Sequence, residues 1–159
     1  MKTLRLFALL LLAAALTAFF GLSPFRSRDI GELTVAELLC LTASSEIEVT
    51  TESGLSASGA TVADALARLQ EIAPGHLLLA TVSCVTVSGF RPTADELLSC
   101  GLRPATKLFS APPGLDPAKA AAYLAHHEGG VTLGQLRERD APLPLIVCEN
   151  GMPYLEASP

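Results

Sequence analysis

Tryptophan is absent from this chain, aromatics make up only 5%, and charged residues are 17% of the total. The scarcity of charge, beside a hydrophobic half, excludes a disordered chain, which combines few apolar residues with many charges. Basic residues are also few: eleven Lys and Arg stand against sixteen Asp and Glu. They are scattered, and phosphate contacts need clustered positive charge, so no nucleic-acid partner is expected. The four cysteines, Cys40, Cys84, Cys100 and Cys148, contain no CxxC pair, which argues against a zinc ribbon or a thioredoxin-type site. Nor is there a GxSxG, SxxK, HExxH or GxxxxGK motif; Gly54-Leu55-Ser56-Ala57-Ser58-Gly59 has the wrong spacing for a nucleophile elbow. No catalytic, cofactor-binding or metal-binding residue is assigned, and no cofactor is expected.

What is present begins at the N-terminus. After Lys2 and Arg5, the stretch Leu6 to Leu22 runs 17 residues without a charge and with Thr17 as its only polar side chain. This is the layout of a signal peptide, and it reaches the lower length limit of a membrane span, ~17 residues. Small-x-small cleavage sites are poor: Ala13 and Ala15 lie inside the apolar stretch, and Gly21 and Ser23 would leave Pro24 at the new terminus. Residues 1–23 are therefore read as a signal peptide or, preferably, an uncleaved membrane anchor, and 24–32 as a juxtamembrane linker. Arg26 and Arg28 balance Lys2 and Arg5, so the charge rule for orientation gives a weak vote. Without Lys2 and Arg5, nine basic residues face sixteen acidic ones, a net of −7, which disfavours tight binding to an anionic membrane surface.

Residues 33–159 read as a single α/β (α+β) domain with a mixed sheet and three to four helices, in the order ββαβαβααββ. Leu33 to Leu41 is apolar and by pattern alone fits a strand or a helix; residues 42–45 are expected as the hairpin turn to the next strand. In Glu46 to Glu52, Ile47, Val49 and Thr51 alternate with charged or polar residues, as a half-buried strand requires. Gly54 to Gly59 reads as a loop. Thr61 is a candidate N-cap, and Val62, Ala65, Leu66, Leu69 and Ile72 form one helical face, stopped by Pro74-Gly75. Leu77 to Val87 is the strongest strand and is placed at the sheet centre. Thr93-Ala94-Asp95-Glu96 is a capping box for a helix over 94–100, and Ala105 to Ala111 is a further strand. Asp116-Pro117 opens a helix through the alanine-rich run to Glu128, and Thr132 caps a short one after it. Asn150-Gly151 between apolar runs predicts a closing hairpin.

Cys40, Cys84 and Cys148 each fall in an apolar strand-like run and are expected as small buried hydrophobes, although an even count permits two disulfides. His76 is expected at a strand edge. His126 and His127 are adjacent, about 100° apart on a helix, and cannot chelate as an i, i+4 pair does; they are read as helix-end residues.

The order of short motifs resembles a known family. Ser23-Pro24-Phe25-Arg26-Ser27-Arg28-Asp29-Ile30-Gly31-Glu32-Leu33 is similar to the mature start of the Ger(x)C proteins, the lipoprotein subunit of spore germinant receptors. The polar alternation at Glu46-Ile47-Glu48-Val49-Thr50 follows in place. Gly59-Ala60-Thr61-Val62-Ala63-Asp64-Ala65-Leu66 resembles that family's Gly-x-Thr-(Val/Ile)-x-(Asp/Glu)-Ala helix start, and Gly75-His76-Leu77 its entry to a central strand. Asp95, Leu97 and Leu98, then Leu102-Arg103-Pro104, continue the order, so the likeness covers about residues 23–156. It implies an extracytoplasmic, non-catalytic protein of a spore-forming bacterium, at the cell membrane (the spore inner membrane), with integral membrane germinant-receptor subunits as partners. Two departures stand out. Pro24 occupies the place of the lipidated Cys, so the N-terminal helix has to provide the membrane attachment. Cys40-Leu41-Thr42-Ala43 replaces the family's Gly-Ile-Asp-Lys, and the likeness is to the first domain alone. The alternatives are a single-anchor structural sporulation protein and, on a Cys-His pair from Cys84 or Cys148 with His76, a secreted enzyme.

Overall fold

The structure is a computed structural model and describes residues 33–156. The apolar segment 1–23 and the linker with Arg26 and Arg28 lie outside the described residues. Among those described, no helix is long and apolar enough to cross a membrane.

Strands β1 (Leu33–Val35), β2 (Leu38–Ala43), β3 (Ile47–Thr51) and β4 (Ser56–Gly59) come first. Helix α1 (Val62–Ile72), β5 (His76–Leu78), a 3-10 turn (Leu79–Thr81) and β6 (Cys84–Ser88) follow. Then come α2 (Ala94–Ser99), β7 (Lys107–Ser110), α3 (Pro117–Leu124), β8 (Val131–Thr132), α4 (Leu133–Glu138), β9 (Ile146–Glu149) and β10 (Met152–Leu155). The result is a mixed α/β fold with a six-stranded mixed sheet in the order β4-β3-β2-β6-β7-β8. Strands β2, β6 and β7 run parallel; β3, β4 and β8 pair antiparallel. β1 and β5 form a separate parallel pair, and β9 and β10 a separate hairpin.

Alternation along the strands divides the core in two. Leu39 and Leu41 of β2, Val49 of β3, Val85 and Val87 of β6 and Leu108 of β7 face one side, where they meet Val62, Ala65, Leu66 and Leu69 of α1, Leu97 of α2 and Leu133 of α4. Leu38, Cys40, Cys84 and Phe109 face the other, against Ala120 and Leu124 of α3 and Ile146 of the hairpin.

The helix starts follow the expected capping chemistry. Thr61 Oγ1 accepts from Asp64 N at 3.1 Å. Asp116 Oδ1 accepts from Ala118 N and Lys119 N at 3.0 and 3.3 Å, with Pro117 as the first helical residue. The full capping box occurs not at Thr93, where only Glu96 N donates to the hydroxyl, but at Thr132, where the Gln135 amide oxygen also accepts from Thr132 N. Asn150 (φ 53°) and Gly151 (φ 76°) take the two left-handed positions of the predicted hairpin turn.

Several expectations are corrected. The Leu77 to Val87 run is not one central strand. Thr81 Oγ1 donates to Leu78 O at 2.6 Å and Ala36 O at 3.1 Å, and this local bonding draws the chain into the 3-10 turn. Only β6 is central; β5 leaves to pair with β1. The Leu33 to Leu41 segment likewise splits, because the Glu52 carboxylate accepts from Glu37 N and Leu38 N, both at 3.1 Å. The Gly54 to Gly59 loop contains β4, an edge strand whose small residues hide its β-character. Gly59 ends it because a Cβ there would stand 2.5 Å from the Ala65 nitrogen of α1. Ile72 is 53% exposed. Ala73, four residues after Leu69, takes the place against the core that the helical pattern assigned to Ile72. Helix α3 stops at Leu124 rather than Glu128, and the two-residue strand β8 was not legible. The observed order is thus ββββαββαβαβαββ.

Candidate functional site

Helix α3 covers only part of the second sheet face. Past Leu38 and Cys84 the residues on that face turn polar, and the register sets them in two rows. Cys40 lies opposite Thr50 of β3 and Thr86 of β6; Thr42 lies opposite Glu48 of β3 and Ser88 of β6. These rows lie toward the carboxyl ends of the parallel strands β2 and β6, where open α/β sheets bind ligands. The β7–α3 connection, with Pro112, Gly114 and Leu115, and the first residue of α3, Pro117, closes one side. The result is a cleft of ≈ 250 Å³ with a hydroxyl-lined floor and a partly apolar wall.

Thr86 is 2% exposed and Ser88 6%. No group among the described residues hydrogen-bonds the Ser88 hydroxyl, yet no buried polar atom lacks a partner. Ser88 lines the cleft beside Thr42 and Thr86. Burial pushes the Cys40 thiol up; the Thr86 hydroxyl beside it acts in the opposite sense, and the Glu52 and Asp116 carboxylates add to the rise. Cys40 thus stays a neutral thiol. Among the described residues, no Lys, Arg or His lines this cleft.

A second cleft, of ≈ 410 Å³, lies by the opposite ends of β6 and β7 and is lined in part by Cys84, Arg103, Lys107, His126 and His127. Its cations largely serve the fold. Lys107 Nζ donates to Glu128 O at 3.0 Å and His127 O at 3.4 Å, just past the end of α3. The His127 ring stacks on Tyr123 with centroids 3.8 Å apart, and its Nδ1 lies 2.8 Å from Tyr123 O. The histidine pair thus sits beyond a helix end, as expected. Among the described residues no three His, Cys, Asp or Glu side chains converge as metal ligands.

The cysteines are all free thiols. Cys40 and Cys84 are buried on the second face; Cys148 is exposed, against expectation, because it lies on the hairpin rather than in the main sheet. The Cys84 thiol is raised, first by burial, with Ser83 and Lys107 pulling the other way. A thiol held neutral in this way is a poor nucleophile. Cys84 shares its cleft with His126 and His127, while His76 is exposed on β5, in the separate pair.

Sequence reasoning did not find the first cleft. The signal was there in parity: Thr42 follows Leu41, and Thr86 and Ser88 alternate with Val85 and Val87, so hydroxyls recur on one face of adjacent strands. Seeing that these strands are neighbours requires the register.

No protein-family model, no curated protein and no solved structure matches this chain.

Proposed function

We propose that this chain is a non-catalytic, membrane-associated extracytoplasmic module of a spore-forming bacterium. In this reading it is a relative of the Ger(x)C proteins that resembles their first domain, and it acts in germination by binding or assembly. The observation that carries the reading is the ordered series of motifs behind an export-type N-terminus. Their places in the fold support it. Gly59 to Leu66 is the turn from β4 into α1, where Gly59 has no room for a side chain and Thr61 caps the helix. Gly75-His76-Leu77 is the entry to β5, Asp95 and Leu97 lie in α2, and Leu102-Arg103-Pro104 leads into β7. The polar cleft gives a binding module somewhere to bind.

The test is fractionation of sporulating host cells carrying a C-terminally tagged protein, blotted for size and followed by co-purification. Full-length protein in the spore inner membrane, together with receptor subunits, is the expected result. Processed protein in the medium of vegetative cells overturns the reading. Membrane-bound protein that brings down coat or channel components instead makes it a single-anchor structural sporulation protein.

A further inference from the structure

We propose that the cleft at the carboxyl ends of β2 and β6 binds a primary ammonium group carried on a short aliphatic stem. The inference names a ligand for the binding module just proposed, but it rests on this cleft and stands whatever membrane the chain occupies.

The recognition chemistry is one-sided. Thr42, Thr50, Thr86 and Ser88 bring four hydroxyls to the floor, each able to accept an N–H bond. Glu48 brings a carboxylate at the rim, opposite Thr42. Among the described residues no Lys, Arg or His lines the walls, so none of them offers an anion a counter-charge there. Asp116 caps α3 directly before Pro117, which lines the cleft, so a second carboxylate stands next to its wall. Ser88, 6% exposed, lines the cleft, and its hydroxyl has no protein partner among the described residues. With no bond to it among the described residues, that hydroxyl can accept one from a ligand. Ala111, Pro112, Leu115 and Pro117 form an apolar wall that suits methylene groups. The volume of ≈ 250 Å³ lies below that of a drug-sized pocket, ~300–1,000 Å³, which limits the occupant to a few carbons. A free alkylamine and a lysine side chain of a protein partner share this chemistry.

The experiment titrates n-butylamine into the 15N-labelled full-length chain in detergent micelles at constant ionic strength, following backbone amides. Saturable shifts at Thr42, Glu48, Thr86 and Ser88 are expected, with butanol and butyrate each at least about tenfold weaker. Glu48→Gln, at an exposed position that does not endanger folding, should weaken butylamine about tenfold, and Ser88→Ala by a smaller factor. Shifts that never saturate, that spread over acidic residues outside the cleft, or that survive Glu48→Gln unchanged overturn the proposal. Acetyl-lysine amide separates the sources: binding comparable to butylamine points to a lysine side chain, and loss of binding to the free amine. The fractionation result bears on neither outcome.

Discussion

On the first face of the main sheet, buried strand residues are aliphatic almost throughout: Leu39, Leu41, Val49, Val85, Val87 and Leu108, with Thr51 the exception. On the second face the same four strands carry Leu38, Cys40, Cys84 and Phe109, and toward the carboxyl ends of β2 and β6 the residues pass to Thr42, Thr50, Thr86 and Ser88. The backbone is shared, so the difference lies wholly in side-chain parity and in what covers each face. Three helices roof the first. Among the described residues, one eight-residue helix and a hairpin roof part of the second. The first face is packed along its length; the second holds a smaller core and leaves a polar cleft beside it.

The sharpest way to break this comparison is to truncate two neighbours on β2 that point to opposite faces. Leu41→Ala should cost ~2–5 kcal/mol in denaturant melts, because a buried leucine leaves a cavity, while Thr42→Ala should stay within about 0.5 kcal/mol. Equal losses would mean that both faces are equally packed. Next in size is Gly59→Ala. The added Cβ meets backbone of α1, which cannot yield as a side chain would, and about 1–3 kcal/mol should be lost. An unchanged midpoint would show that α1 sits less tightly on the first face than described. Thr61→Ala should lower stability by ~1 kcal/mol through the lost cap, and Thr61→Asn should restore most of it.

The smallest effect concerns pH and the second face. Cys40 and Cys84 have thiols raised by burial above the ordinary 9.0. Above that value the unfolded chain releases the protons while the folded chain keeps them. Their contribution to stability is therefore fully present below pH 9.0 and is lost as pH rises from there toward the folded values. Thermal melts from pH 7 to 10 should show a decline that is shallower in Cys40→Ala and Cys84→Ala, each compared with its own value at pH 7. Identical slopes in all three proteins would place the thiols in contact with water.

Local signals were legible where one or two residues decide the outcome. Thr61, Asp116-Pro117, Thr132 and Asn150-Gly151 each act through their own neighbours, and each marks a cap or turn in the fold. The boundaries that failed depend on distant partners. Thr81 turns the chain partly through Ala36, and Glu52 interrupts the first apolar run from fourteen and fifteen residues away. The strand β4 carries almost no propensity of its own and exists because β3 offers it a ladder.

By itself, then, the sequence determined the α/β character, the helix starts and the closing hairpin, because capping and turn chemistry are settled within a few bonds along the chain. Tertiary structure alone decided which strand is central, which thiols are buried, and that Thr42, Glu48, Thr86 and Ser88 share one cleft. Those facts are products of register and of what covers each face, and a hydroxyl on a strand does not carry in its own sequence neighbourhood whether a helix or open solvent lies above it.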